Sequence, residues 1–592
     1  MSANQQLTTN LKYLWQYLSK RRKLQYVALL CLMLISAISE VISLGAVIPF
    51  LAVLIEPEMV FTYPIVASSA QLWGIVSADQ LVLPLTVVFC LAALAAGAIR
   101  MLMMWASTRI AYACASDLSV DVYRRSLYQP YSVHLTRSSS EIISGVTFKV
   151  NEVALGVLQA LPTLISSFLL LATIFSALVI INPQVAFVAG FGFGLSYVLI
   201  SFIFRRRLKG YSSCVAYEQT KIVKSLQEGV GSIRDVLLDG TQSVFCDIYR
   251  KSDILLRRAQ GNSLFVTVSP RYVMEAIGMV LIASLAYYLS SQEGGISAVF
   301  PVLGALALGA QRMLPALQQI YSSVAIMQAN QVSISAVIDL LDQPLPTHLF
   351  SADLPPLEFQ KTIKLKNVSF QYEGNGPKVL DDLNLSILKG SRVGVVGTTG
   401  SGKSTLLDLL MGLLEPTHGD VLVDEIPLTS LNRQSWMHMI AHVPQKIYLT
   451  DTTVAENIAF GVPFDEIDMV RVKCSAQQAQ ISSFIENRPK GYLSLLGEQG
   501  ISLSGGQQQR IGIARALYKQ ASVLVFDEAT SALDSETELA VMQAIEGLSH
   551  DLTIIIIAHR LTTLKKCTKI IELSDGEIKR IGSYQDIVDQ AV

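Results

Sequence analysis

The chain has 592 residues, of which 51% are hydrophobic and only 16% charged, with a mean hydropathy of +0.44. So much apolar surface in a chain of this length excludes a single soluble domain and points to a membrane protein of more than one domain. A net charge of −1 gives no case for nucleic-acid binding, and seven scattered cysteines without a C-x-x-C pair give none for a zinc or disulfide framework.

Residues 1–23 are polar and end in Lys20-Arg21-Arg22-Lys23, with Tyr13, Leu14, Trp15 and Leu18 interleaved. That pattern predicts an elbow helix along a membrane surface, or for the first ten residues a frayed basic tail. Six apolar stretches follow, near 25–54, 81–104, 160–181, 184–204, 272–290 and 296–326. Each is long enough to cross a bilayer at roughly 20 residues per span. The connection 55–80 carries Glu56, Glu58 and Asp79 but no Lys or Arg, whereas Arg109, Arg124, Arg125, Arg137 and Lys149 lie in the next one, and Arg205, Arg206, Arg207 and Lys209 open another. This bias predicts that both termini are cytoplasmic. The basic connections, 105–159 and 205–271, are too long to lack structure and keep helical spacing. They are expected to extend the membrane helices and to reverse at short crossing helices near Tyr131–Ser139 and Val230–Gly240.

Pro344, Pro346, Pro355 and Pro356 mark a linker, which places a membrane domain at 1–345 and a soluble α/β domain at 346–592. In the second domain Val393-Gly394-Val395-Val396 reads as a buried strand. It leads into Gly397-Thr398-Thr399-Gly400-Ser401-Gly402-Lys403-Ser404-Thr405 and then an apolar helix start. Strand, glycine turn and helix form a phosphate-binding loop, in which backbone N–H groups and a helix N-terminus face phosphate oxygens. Lys403 suits the β- and γ-phosphates and Ser404 suits Mg²⁺. Tyr372, upstream, suits stacking on an adenine ring. A second apolar strand, Val523–Phe526, ends in Asp527-Glu528. Asp527 there can hold Mg²⁺, and Glu528 can act as general base on the attacking water. Thr553–Ile557 delivers His559, placed to contact a γ-phosphate. Leu503-Ser504-Gly505-Gly506-Gln507, at a helix start, is a second phosphate cradle through Ser504, Gly505, Gly506 and Gln507.

With these strings together the chain resembles the nucleotide-binding domain of ABC transporters over about 361–580. The resemblance implies that Leu503–Gln507 closes over ATP on a partner subunit's phosphate loop. It implies that Gln445, in Val443-Pro444-Gln445, touches Mg²⁺ as a catalytic glutamine. It further implies a dimer-contacting loop at Ser531-Ala532-Leu533-Asp534 and an exporter-type segment at Gly497-Glu498-Gln499-Gly500. The expected fold is thus an α-helical six-span transmembrane domain followed by an α/β P-loop ABC nucleotide-binding domain. The expected cofactors are ATP and Mg²⁺, and the expected partner is a second copy of the chain.

Cargo is read from ionisable residues near the spans: Glu40, Arg100, Arg271, Glu275 and Arg312. Ser269–Gly278, Gln311–Pro315 and Ile35–Glu40 resemble bacterial flippases for lipid-linked oligosaccharides. That resemblance implies that Arg100, Arg271 and Arg312 handle a pyrophosphate head group, which guanidinium forks match. It implies ATP-driven flipping of a lipid-linked saccharide at a bacterial inner membrane. The alternatives are a multidrug or general lipid exporter and, in another class, an ATP-gated regulatory or channel-like protein.

Overall fold

A computed structural model describes residues 3–55, 82–181, 183–290, 295–345, 357–372, 376–528, 538, 551–558 and 564–588. The chain divides into two compact units, 1–129 with 137–345 and 130–136 with 346–592.

The first unit is helical. An amphipathic helix α1 (Ala3–Tyr17) precedes α2 (Lys20–Ile55) and α3 (Val82–Leu127). Leu14 is buried in one cluster with Ala111 and Leu118 of α3 and with Ile334 and Val337, so the N-terminal helix packs on protein through its leucine stripe. A short helix α4 (Tyr131–Thr136) follows α3 and falls in the second unit. Beyond it come α5 (Ala160–Ile181), α6 (Pro183–Gly231), a short α7 (Ile233–Leu238), α8 (Gln242–Val268), α9 (Pro270–Ser290), α10 (Gly295–Ala329) and α11 (Gln331–Leu341). Helices therefore occupy all six stretches expected to cross the membrane. Among the described residues, Lys20–Ser43, Val82–Leu127 and Ser139–Ser176 are long and apolar enough to span by themselves. Both short crossing helices fall where the sequence predicts reversals.

The membrane helices are turned inside out relative to a soluble bundle. On α2 the buried positions are Leu29, Met33, Ser36, Ala37 and Glu40, at helical spacing, while Leu34, Ile35, Ile38 and Ile42 are exposed. On α3 the buried face is Ala96, Ser107, Ala111 and Cys114, and Leu94, Met101 and Trp105 point outward. On these two helices Ser36, Ala37, Ala96, Ser107 and Ala111 face the neighbouring helices, because lipid chains are as apolar as leucine and close packing and hydrogen bonds favour the contact.

The second unit has two sheets. The smaller is antiparallel, in the order β2 (Leu380–Leu388), β1 (Thr362–Phe370), β4 (His418–Val423), β5 (Ile426–Pro427). The larger runs β10 (Glu577–Gly582), β9 (Lys569–Ser574), β3 (Arg392–Gly397), β8 (Thr553–Ile557), β7 (Val523–Asp527), β6 (Ile440–Val443). All its neighbours are parallel except β10 with β9. Its central strands β3, β8 and β7 are buried on both faces, as a parallel sheet requires. Leu524, Phe526, Ile554 and Ile556 enter one core, while Val523, Val525, Ile555 and Ile557 enter the other. The period of two thus divides each strand between two hydrophobic clusters. The helices α12 (Lys403–Leu410), α13 (Val454–Ile458), α14 (Met469–Gln478) and α15 (Gly505–Tyr518) are among those that pack in this unit.

Candidate functional site

The phosphate loop begins where β3 ends. Gly397 has φ 155°, and a Cβ there would lie 2.3 Å from the Leu573 carbonyl oxygen of β9. Gly402, at the other end of the loop, has φ 95° and would place a Cβ 3.0 Å from the Val379 carbonyl oxygen. Left-handed backbone against rigid backbone admits only glycine at both positions. Between them Thr398, Thr399 and Gly400 are exposed, and the buried Ser401 hydroxyl has no hydrogen-bond partner among the described residues. Lys403 is the first residue of α12, so the free N–H groups of that helix open onto the loop. The buried Lys403 side chain donates from Nζ to the carbonyl oxygens of Gly397 and Thr398, both at 2.8 Å. The ammonium is therefore held across the loop, with Ser404 exposed beside it and Thr405 buried. The Tyr372 hydroxyl is hydrogen-bonded to the Thr405 hydroxyl at 3.0 Å, and its ring meets Phe370 edge-on with centroids 5.0 Å apart. An exposed aromatic ring is thereby anchored beside the first turn of α12.

The acids arrive on the neighbouring strands. The register of β7 on β8 pairs Asp527 with Ile557, and the Glu528 N–H donates to the Ile557 carbonyl oxygen at 3.1 Å. Glu528 then leaves the strand at φ 51°, a costly conformation for a non-glycine residue that re-aims its side chain. Gln445, just past β6, donates from Nε2 to Glu528 Oε2 at 2.6 Å. Gln445, Asp527 and Ser404 thus come from the carboxyl edge of one parallel sheet and the helix it feeds, the usual ligand-binding edge of such sheets. Their donors are one amide oxygen, one carboxylate and one hydroxyl, an all-oxygen set that suits Mg²⁺. Asp408, one turn beyond Ser404 on α12, adds a further carboxyl: burial, and then the charge of Asp527, push it up to about 6. Sequence reasoning passed over Asp408, although its spacing of four from Ser404 was the available signal.

Ser504 caps α15 in a reciprocal box. Its hydroxyl accepts from the Gln507 N–H at 3.3 Å, and Gln507 Oε1 accepts from the Ser504 N–H at 2.9 Å. Ser504 and Gly505 are exposed, so the positive end of a 14-residue helix is presented on the surface. At the far end of the helix Arg515 donates to the carbonyls of Asn457 at 2.8 Å and Tyr448 at 3.1 Å. Its guanidinium also stacks 4.5 Å from the centre of the Phe460 ring. This half-buried cation, which sequence reasoning also missed, ties α15 to the segment after Gln445. Desolvation lowers its pKa to about 10. His559 and Ser531–Asp534 lie outside the described residues, as does the side chain of Gln499.

The first unit holds a cavity of about 750 Å³ between α2, α3, α5 and α10, with Ser36, Glu40, Arg100, Ser166, Gln311 and Gln319 in its lining. Arg100 reaches it and is ion-paired with the buried Glu40. Arg271 does not: it is exposed on α9, paired with Glu275 one turn on at 2.7 Å, and is absent from the described lining. The side chain of Arg312 lies outside the described residues, as does the connection 56–81. Arg271 thus stands apart from the described lining of this cavity, beside Glu275. Its own helix supplies a carboxylate at the favoured spacing of four, a pairing the sequence reading had not weighed against the cavity.

Residues 380–531 match the family model "ABC transporter", and residues 60–297 match "ABC transporter transmembrane region". The chain is 30% identical to an "ATP-dependent lipid A-core flippase" of Methylococcus capsulatus over 476 residues, 80% of this chain and 78% of that protein. It is 30% identical to a protein of the same name from Saccharophagus degradans, covering 80% of each. It is 29% identical to "ABC transporter B family member 29, chloroplastic" of Arabidopsis thaliana, over 75% of this chain and 70% of that one. Among solved structures, a bacterial Atm1-family ABC exporter with ATP bound superimposes with a TM-score of 0.78, covering 97% of this chain and 96% of that one at 22% identity.

Proposed function

Because the chain belongs to the ABC transporter family, as an integral membrane protein that couples ATP hydrolysis to export, we propose that its cargo is a lipid bearing a saccharide head group, moved outward across a bacterial inner membrane by a homodimer. The observation that carries this reading is the hydroxyl- and amide-lined cavity inside a bundle whose outer face is leucine, isoleucine and methionine. The relatives at 30% identity, named as lipid A-core flippases, support a lipid cargo. The Lys and Arg bias of the connections supports cytoplasmic termini.

In this reading the N–H groups of α12 and the Lys403 ammonium bind the β- and γ-phosphates, and Tyr372 stacks on the adenine. Ser404, Gln445 and Asp527 hold Mg²⁺, which neutralises phosphate charge when bound. Glu528 accepts the proton of the attacking water as its oxygen bonds to the γ-phosphorus and the bond to the departing ADP oxygen breaks. The 2.6 Å hydrogen bond from Gln445 fixes the Glu528 carboxylate, and His559 contacts the γ-phosphate. The exposed α15 N-terminus, at Ser504, Gly505, Gly506 and Gln507, closes over the nucleotide of the partner subunit. One nucleotide site per chain makes a two-fold dimer the simplest complete assembly.

The test is ATPase activity in lipid nanodiscs, with and without polyprenyl-pyrophosphate oligosaccharide, beside a sided flipping assay. Stimulation together with ATP-dependent flipping is the expected result. Robust hydrolysis with no flipping of any saccharide-bearing lipid would remove the cargo assignment. A second reading, a general lipid or drug exporter, rests on Met33, Met103 and Met104 in the same lining, because methionine adapts to varied apolar shapes.

A further inference from the structure

We propose that the basic turn of α6 just beyond its membrane span is a docking surface for the anionic phosphodiester head groups of bilayer phospholipids, and that these lipids steady the lever that α6 forms. The proposal concerns the surrounding lipid rather than the cargo, and it stands apart from the saccharide reading.

The outer stripe of α6 is apolar and then abruptly basic. Leu199, Phe202 and Ile203 are exposed on it, Phe202 at 80%. Arg206, Arg207 and Lys209 are exposed as well, at helical spacings of three, four and seven from Phe202 and Ile203, and so continue the same face. Arg205 belongs to the run, although its side chain lies outside the described residues. The inner stripe does not change: Tyr197 and Leu208 are buried in one cluster with Val266 and Tyr321. At about 1.5 Å per residue the stretch from Pro183 to Phe204 is about 33 Å long, close to a hydrocarbon core of about 30 Å. The outer face therefore turns basic at the depth of lipid phosphates.

The chain leaves these cations unanswered. No Asp or Glu occurs between Glu152 and Glu218. Among the described residues, the side chains of Arg206, Arg207 and Lys209 take part in no ion pair or hydrogen bond. Further along the same helix and on α8, cations have an acid about one turn away. Lys224 pairs with Glu228 at 3.7 Å, Arg250 with Asp247 at 3.6 Å and Arg257 with Asp253 at 3.2 Å. The shaft in water thus neutralises charge within its own helices, whereas the turn at the membrane boundary keeps its charge for a partner outside the chain. Phosphodiesters fit that role, because a guanidinium fork matches two phosphate oxygens and a lysine adds a point charge. A basic cluster beside a span favours anionic lipid by about fivefold per residue. Beyond the cluster α6 runs unbroken to Gly231 and hands over to the short crossing helix α7. Lipid held at the middle of this helix sets the depth of both its ends.

The experiment uses the full-length chain carrying Phe202→Trp, which puts an indole one turn from Arg206, in phosphatidylcholine proteoliposomes. Brominated phosphatidylglycerol or brominated phosphatidylcholine, with identical acyl chains, is added at equal mole fraction. Quenching of the added indole, corrected for the chain's own tryptophans, reports which lipid lies beside the turn. Phosphatidylglycerol is expected to be preferred at least about fivefold in low salt, and the preference to fall toward parity near 1 M salt, where the screening length is about 3 Å. Arg206→Gln, Arg207→Gln and Lys209→Gln together are expected to abolish the preference, whereas Lys224→Gln with Arg250→Gln, which touches answered cations, is expected to keep it. ATP turnover should rise with phosphatidylglycerol content when the basic turn is intact and not in the triple variant. If the triple variant does not insert, Arg206→Gln alone, expected to lower the preference severalfold, serves with the salt series. Equal quenching by the two lipids, or a preference that survives the triple substitution, would overturn the proposal and leave the exporter and its cargo as they stand. A preference without any response of ATP turnover would overturn the part given to the lever.

Discussion

The two halves of the chain hold charge in different ways. In the nucleotide half, Arg515 is held by backbone carbonyls of Asn457 and Tyr448 and by the Phe460 ring, and Lys403 by the carbonyls of its own loop. In the membrane half, Arg100 is met by a carboxylate from another helix, Glu40. The contrast follows from the backbone. Strand ends and loops in a soluble α/β unit leave carbonyls free to accept, whereas membrane helices commit nearly every carbonyl to their own ladder and only a side chain can neutralise a cation. A cation in the first setting remains available to an anionic ligand; in the second it is already answered.

The sharpest way to strain this contrast is at the acid the nucleotide half leaves facing its ligand. Glu528→Gln should keep ATP binding and lower hydrolysis by about 10²–10⁴-fold, the usual worth of a general base. Nucleotide binding measured beside steady-state ATPase separates the two effects, and hydrolysis within a factor of two or so of normal would reassign the base. The substitution is nearly isosteric, so the β7–β8 register and the left-handed turn at Glu528 should persist.

The next largest effect is expected in the membrane half. Arg100→Gln removes a charged partner of the buried Glu40 carboxylate and should cost about 3 kcal/mol, toward the lower end for a broken buried pair because the arginine itself is half exposed. The exposed Arg271, paired within its own helix, is the control: Arg271→Gln should leave the melting temperature unchanged within error. Equal losses for the two variants would mean that Glu40 finds another partner. In the nucleotide half, Arg515→Ala leaves two carbonyls without their donor and should cost about 2 kcal/mol, read as a lower melting temperature in saturating ATP and in its absence. A loss confined to one of those conditions would show that Arg515 acts through the nucleotide site.

The same contrast governs what could be read from sequence. The phosphate loop was legible because its function is written in backbone requirements: glycine where φ is positive, an apolar strand before, a helix after. Asp527 and Glu528 were legible as acids at a strand end. Six helices and two short reversals were legible from run length and loop charge. Pairing was not. That Glu40 answers Arg100 depends on the rotation of α2 against α3, and that Glu275 answers Arg271 depends on a choice between helix neighbour and cavity. Arg515 was hidden for a related reason, since its partners are carbonyls 58 and 67 positions away and carry no side-chain signature. Asp408 was visible in principle by its spacing from Ser404, but its perturbation arises first from burial and then from Asp527 on another element.

Asp408 supplies the smallest and most selective prediction. Its carboxyl titrates near pH 6 in the folded chain, against an ordinary value of 3.8, because burial and the Asp527 charge disfavour ionisation. Between those two values the folded state binds a proton that the unfolded state has released, so stability falls as pH rises through the window and the loss is complete above it. Asp408→Asn removes the cost. It should stabilise the chain at pH 7 by roughly 1 kcal/mol after allowance for solvent screening and give no advantage below about pH 4. Melting temperatures of the two chains across pH 4–8 should therefore converge in acid and separate above pH 6. Curves that run parallel would mean that Asp408 ionises at its ordinary value, opposed neither by burial nor by Asp527. In that case the nucleotide half would hold its acids apart, as the membrane half holds its charges together.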